Sequence, residues 1–323
     1  MMKIHRRLCC IGLILVLCLC SGCRSLSFQM EDRFEDYYAG SRVNIEKSEA
    51  GMAEDLAVLS PEEDRAFELS TGDYADLVIN DSTNSVVASS HCFDKLYPAS
   101  ITKIMTALLT LERGDLNDEI TLEHNTNVTE DGAVVSTLVM GDTVTVGEVL
   151  RTMLVKSAND CAVILAEYLA GSTAKFADMM NKRARELGAT HTHFVNPNGL
   201  HDDDHYTTAY DLYLIFKEVT KNDTFVDIVS MKDNTMVYRN RYGQEVHEYM
   251  QSTNHFLLNE YPVPEGVVMF GGKTGTTSMA NSCLILMTEN GDGERFFSVV
   301  LGARTKEALY RSMSDLLKKT VKK

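Results

Sequence analysis

The sequence predicts an α/β fold of the α+β type: one antiparallel sheet flanked by helices, with a helical lobe inserted. Two observations predict it. Strand-like apolar runs lie near both ends of the chain, at 74–89 and within 267–303. Between them, apolar residues recur at helical spacing in several segments punctuated by glycine and polar turns. Strands at both ends and helices in the middle imply that both termini build the same sheet.

Each element has its own signal. YADLVINDSTNSVVAS (74–89) reads as two strands about a polar turn at Asp81–Asn84. In PASITKIMTALLTLERG (98–114), Ile101, Ile104, Met105 and Leu108 share a helix face, Pro98 precedes the start and Gly114 can end it. Residues 115–146 read as short strands and loops. The stretch 148–171 reads as two helical pieces broken around Ser157–Asp160. Helices follow at 176–188 and 207–220. VVMFGGKTGTT, SCLILMTE and RFFSVVLGA are β-rich runs separated by polar turns. The closing helix carries Leu309, Met313, Leu316 and Leu317 on one narrow face, a pattern for packing on the sheet rather than for lying in a membrane.

Residues 1–22 have the form of an export signal. Lys3, Arg6 and Arg7 precede an unbroken apolar run of 13 residues, Leu8 to Cys20, too short for a usual spanning helix. Ser21 and Gly22 then precede Cys23, as in lipoprotein signals, although Cys20 stands where leucine is usual. Cys23 is therefore the candidate for lipid attachment and membrane tethering. Residues 31–69 hold 12 acids against 4 bases. The expectation is an acidic, solvated spacer over 23–70 and one domain over 71–323. The net charge of −15 argues against nucleic acid as a partner. Five of the eight cysteines fall in or at the end of the leader; Cys92, Cys161 and Cys283 are scattered and suggest no disulfide framework.

Three short motifs carry the chemistry: Ser100-Ile101-Thr102-Lys103, Ser157-Ala158-Asn159 and Lys273-Thr274-Gly275. Singly they are weak. Ser-x-x-Lys recurs at Ser172–Lys175, and Ser-x-Asn at Ser82–Asn84 and Ser252–Asn254. Their order and contexts distinguish the chosen set: a helix start, a break between helices, and a strand after Gly271-Gly272. On a helix, i and i+3 share a face, so the Lys103 amine can reach the Ser100 hydroxyl. A serine needs a base to act as nucleophile. A helix N-terminus and the second cation, Lys273, would both lower the Lys103 pKa. Ser157 is placed to relay a proton, and Asn159 to hold a substrate amide. Lys273 and Thr274 offer donors to an anion, and Gly275 lets a ligand approach the strand edge. Backbone N–H groups of Ser100 and Thr276 would form an oxyanion hole.

These motifs, with YPASITKIMTALLTLE, SANDCAVILAEYLAG, THFVNPNGLHDDDHYTTAYDL and GGKTGTT followed by NSCL, resemble the low-molecular-mass penicillin-binding proteins of the D-Ala-D-Ala carboxypeptidase type. The resemblance covers roughly residues 72–305. It implies the serine β-lactamase/penicillin-binding protein fold and a Ser100 acyl-enzyme. It further implies peptidoglycan stem peptides as substrates, β-lactams as inhibitors and an extracytoplasmic location. Ser100, Lys103, Ser157, Asn159, Lys273 and Thr274 take the roles above by resemblance. Many members carry a second, β-rich domain; only 48 residues follow Gly275, so none is expected here.

Two other functions remain open on the sequence. A class A β-lactamase needs a deacylating glutamate with asparagine four residues later. Glu167 and Glu186 lack that partner, and Glu218 with Asn222 has the bare spacing at the end of an apolar helix. A non-catalytic penicillin sensor is the other. His201-Asp202-Asp203-Asp204-His205 contains metal-ligand side chains, but adjacent residues rarely converge on one ion; it reads as a polar loop, with no metal or cofactor expected.

Overall fold

The apolar runs from the two ends of the chain meet in one sheet. The structure, a computed structural model, describes residues 55–60, 64, 75–128, 130 and 132–321; the leader and Cys23 lie outside them. In chain order the elements are β1 (Ala75–Asn80), β2 (Ser85–Ser90), a 3₁₀ turn (Ala99–Thr102), α1 (Lys103–Arg113), β3 (Glu119–Thr121), β4 (Thr143–Thr145), α2 (Val146–Val155), α3 (Asn159–Ala170) and α4 (Thr173–Glu186). There follow α5 (Ala209–Val219), α6 (Asp223–Val229), β5 (Asp233–Arg239), β6 (Glu245–Gln251), β7 (Val267–Thr277), β8 (Asn281–Asn290), β9 (Arg295–Ala303) and α7 (Lys306–Leu317). The main sheet has the order β2-β1-β9-β8-β7, antiparallel throughout. Its central pair joins Ala75 to Leu301 and Asn80 to Phe296.

Strand alternation sorts this sheet into two cores. Leu77, Ile79, Ile285, Phe297, Val299 and Leu301 point into the larger core, shared with the helical lobe. Val78, Ala88, Leu284, Leu286, Phe296 and Val300 point the other way, under Leu309, Met313, Leu316 and Leu317 of α7. The narrow stripe on the last helix thus packs on the sheet, as expected. Helix starts follow their side chains: Thr145, Ser172, Thr208 and Thr305 accept N-terminal backbone N–H groups of α2, α4, α5 and α7.

The structure departs from the sequence reading in three places. First, the helix expected from 98 opens as a 3₁₀ turn, because Ala99 takes a left-handed φ of 48° and prevents a regular α-helical start. Second, a separate four-stranded sheet, β3-β4-β5-β6, carries a hairpin at 233–251 that the reading passed over. Third, the described part of the expected spacer is solvated only in part: Asp55 and Val58 are exposed, but Ala57 and Asp64 are buried. Ala57 is fully buried; its N–H donates to Tyr213 Oη at 3.2 Å and its carbonyl accepts from Tyr210 Oη at 2.8 Å. The Cys92 N–H donates to Asp64 Oδ2 at 2.9 Å. Ala57 and Asp64 therefore belong to the domain.

If α7 is a structural layer, Met313→Ala should destabilise the domain by about 2–5 kcal/mol, as for other fully buried large-to-small changes. A denaturant midpoint unchanged from wild type would show that this helix is dispensable to the core.

Candidate active site

The 3₁₀ turn before α1 carries Ser100, and Lys103 follows three residues later as the first residue of α1, within reach of the Ser100 hydroxyl. Lys103 is completely buried, and its amine has three partners. These are Ser100 Oγ at 2.8 Å, Asn159 Oδ1 at 2.8 Å and the Asn198 carbonyl at 2.6 Å. The Asn159 amide nitrogen donates to the Val134 carbonyl at 3.0 Å, so its oxygen is the atom left for the lysine. Asn159 and Asn198 oxygens only accept. A neutral amine has two N–H donors and one lone pair, so donating to both leaves the lone pair for the Ser100 hydroxyl. Burial, then the nearby Lys273 charge, hold the Lys103 pKa well below that of a free lysine.

Ser157 sits in the break between α2 and α3 with φ of 66°. This left-handed backbone turns its hydroxyl toward β7, where Lys273 Nζ donates to Ser157 Oγ at 2.8 Å and to the Thr274 carbonyl at 2.8 Å. Lys273 is 1% exposed, and burial lowers its pKa to about 7. Ser100, Lys103, Ser157, Asn159 and Lys273 therefore form one cluster at the junction of the sheet and the helical lobe.

Close backbone approach closes the cluster. A Cβ on Gly275 would lie 2.9 Å from both Ser100 N and the Pro98 carbonyl. The glycine expected to admit a ligand thus first admits the protein's own serine turn, and it keeps Ser100 N–H beside the Gly275–Thr276 backbone. On the opposite side, a Cβ on Gly199, whose φ is +84°, would meet the Ala99 carbonyl at 1.9 Å. Thr276 is exposed and lines a cleft of about 660 Å³ together with Ser100, Ser157, Asn159, Thr274 and Gly275.

Several residues that hold the site were not given this role in the sequence reading, and His205 was read as part of a polar loop. Asp160 accepts from Ser136 N at 2.9 Å and from the Ser136 hydroxyl. Glu248, on the overlooked hairpin, accepts from Thr137 N at 3.0 Å, from Thr137 Oγ1 at 2.6 Å and from Lys156 beside Ser157. Together they clamp the segment whose Val134 carbonyl holds Asn159. His205 Nδ1 accepts from Val195 N at 3.1 Å, which leaves Nε2 as donor to Thr102 Oγ1 at 2.8 Å. Burial lowers the His205 pKa to about 4, so it is neutral near pH 7. No local pattern marks these residues, because each partner is distant in sequence.

The repeated motifs have other structural tasks. Ser172 caps α4, accepting from Lys175 N. Ser82 accepts from Arg295 N in a turn. Glu218 pairs with Arg183 and Lys221, and Asn222 caps α6; neither lines the cleft. His201 lies beside Asp203 while His205 is buried under Thr102. Among the described residues, no group of three or more His, Cys, Asp or Glu side chains forms a metal-binding cluster. Cys92, Cys161 and Cys283 are buried free thiols, and burial raises the pKa of each.

The D-alanyl-D-alanine carboxypeptidase (Peptidase S11) profile matches residues 63–305, and the chain belongs to that family. It is 32% identical to the D-alanyl-D-alanine carboxypeptidase DacF of Bacillus subtilis over 78% of this chain and 63% of that one. The chain thus spans less than two thirds of that relative's length. A variant of a Streptomyces DD-transpeptidase superposes with a TM-score of 0.72 at 26% identity, covering 78% of this chain and 99% of the other. Penicillin-binding protein D2 of Listeria monocytogenes, in its cefotaxime-bound form, superposes with a TM-score of 0.64 at 27% identity, covering 79% and 98%.

The two amines are electrostatically coupled. Because the Lys273 charge disfavours protonation of Lys103, Lys273→Met should raise the Lys103 pKa. Nitrogen NMR of labelled lysines should show this, with Lys273 titrating near 7 in the wild type. A Lys103 pKa unchanged by the substitution would leave burial as the sole cause of its shift.

Proposed function

We propose that this member of the family is a serine-type D-Ala-D-Ala carboxypeptidase, removing the terminal D-alanine from peptidoglycan stem peptides through a Ser100 acyl-enzyme. One observation carries the proposal: the buried Lys103 amine lies 2.8 Å from Ser100 Oγ, and the Asn159 and Asn198 oxygens accept its other N–H groups, so that in the neutral form its lone pair faces the Ser100 hydroxyl. That is the arrangement a general base requires.

In this reading Lys103 takes the Ser100 proton as Oγ attacks the penultimate carbonyl carbon. The oxygen, now negative, receives the N–H groups of Ser100 and Thr276. Ser157, held by Lys273, passes its proton to the leaving amine as the C–N bond breaks and is reprotonated from Lys103, which returns to its neutral form. Water then attacks the ester and gives a proton to Lys103, which passes it to Ser100 Oγ as the ester C–O bond breaks. Asn159 holds the substrate amide, and Thr274, which lines the cleft, provides the side that receives the terminal carboxylate. A β-lactam enters the same path through its ring amide, whose broken C–N bond leaves the amine tethered. The cefotaxime-bound relative supports that inhibitor class. Peptidoglycan as substrate places the work outside the cytoplasm. We further propose that lipid on Cys23, which lies outside the described residues, tethers the enzyme to the membrane.

A labelled penicillin should attach covalently to the wild type and not to Ser100→Ala; labelling mapped instead to Ser172 would overturn the assignment. Free D-alanine released from a stem pentapeptide should fall by about a hundredfold to ten-thousandfold in Lys103→Met, the usual range for a lost general base. Lost base function should also remove the rise of the acylation rate with pH, which in the wild type lies below the free-lysine value of about 10.4.

The tether is tested separately. In a bacterial host the mature protein should partition with membranes, and Cys23→Ala should release it to the soluble fraction. A mature N-terminus downstream of Cys23 would exclude the lipid.

A further inference from the structure

The cleft wall opposite Ser157 contains a hydroxyl that none of the motifs includes. Thr253 lies just after β6, within the Ser252–Asn254 repeat of the Ser-x-Asn pattern. Its Oγ1 is 2.5 Å from Thr274 Oγ1. Both residues are half-buried and line the same cleft as Ser100. Thr253 is fixed from behind: its N–H donates to the Val155 carbonyl at 3.2 Å, two residues before Ser157. The next residue is fixed too, since His255 N donates to Tyr310 Oη at 2.8 Å. A surface threonine at a loop tip would have none of these anchors.

Lys273 is not available as the direct reader of a substrate anion. Its amine is 1% exposed and already engaged with Ser157 Oγ and the Thr274 carbonyl. Thr253 and Thr274 both line the cleft beside it.

We infer that Thr253 and Thr274 form a two-hydroxyl clamp for the C-terminal carboxylate of the substrate, and that Thr253 is a specificity-determining residue. This rests on the proposed carboxypeptidase reading. In the free enzyme one hydroxyl proton bridges the pair, because a hydroxyl both donates and accepts. A carboxylate presents two acceptor oxygens at a spacing close to that of the pair. Both hydroxyls then rotate to donate, and one neutral bond is exchanged for two charge-assisted ones. A C-terminal amide accepts through one oxygen only, and its NH₂ group faces the second threonine with donors. The clamp thus selects a free chain end over an internal or amidated one.

The test compares wild type, Thr253→Val and Thr253→Ser. Valine keeps the shape and removes the hydroxyl; serine restores it. Cleavage of a stem pentapeptide with a free C-terminus should fall about tenfold to a hundredfold in kcat/KM for Thr253→Val, the range for a lost hydrogen bond to a charged group. Cleavage of the C-terminal amide should change little, and Thr253→Ser should recover most of the loss. An equal loss on acid and amide would make Thr253 a structural residue and overturn the clamp, as would an undiminished rate on the acid. A second measurement does not need turnover of a peptide. The acylation rate of Ser100 by a penicillin and by its methyl ester should show the same selective loss for the acid. If the wild type cleaved neither peptide but discriminated between the penicillins through Thr253, the carboxypeptidase reading would fail and the clamp would stand. Absence of discrimination in both assays would overturn the clamp alone.

Discussion

A fully buried lysine amine constrains everything around it. In water an ammonium is well solvated; inside a protein it must be neutralised, paired or supplied with acceptors. Among the described residues, Lys103 has no carboxylate partner within hydrogen-bonding distance. Its three oxygen partners come from the serine turn, the start of α3 and the 196–200 loop. Those segments must converge for the amine to be satisfied at all. Asn159 can serve only if Val134 takes its NH₂ group, and Val134 is in place only if Asp160 and Glu248 hold its neighbours. The need of one amine thus propagates through the helical lobe to the small sheet.

Backbone geometry meets the same need from the other direction. Ala99 and Ser157 both adopt left-handed φ values, which cost free energy for residues with a Cβ. Each strained residue flanks or bears a hydroxyl aimed into the cleft. Gly199 and Gly275 press on the Ser100 turn from two sides, where a side-chain carbon would displace it. The serine is held by contact on both faces rather than by its own helix, so little rearrangement separates the resting state from one ready to react.

The reading from sequence reached what is local. Ser100 and Lys103 share a turn, Ser157 lies at a helix break, and Lys273 follows two glycines on a strand; each shows in a window of a few residues. The two-ended sheet was legible because its strands are continuous apolar runs. The hairpin at 233–251 was passed over because it is half-exposed and interleaved with charge, so its alternation is faint. The roles of Glu248, His205 and Thr253 were missed for a different reason. Their partners, Thr137, Thr102 and Thr274, lie 111, 103 and 21 residues away, and polar residues without a local pattern give no sign of meeting.

The pairing of β1 with β9 has a consequence for when this molecule can fold. Strands at 75–80 and 295–303 sit side by side at the middle of the sheet. Until β9 is available, the first hairpin has no neighbour on its inner edge, and an isolated two-stranded hairpin is at best marginally stable. Closing so long a loop places this domain among high-contact-order folds, which form slowly. A chain emerging from the ribosome N-terminus first therefore stays open until nearly all of it has been made. That delay makes the last strand the step that commits the domain to its final shape.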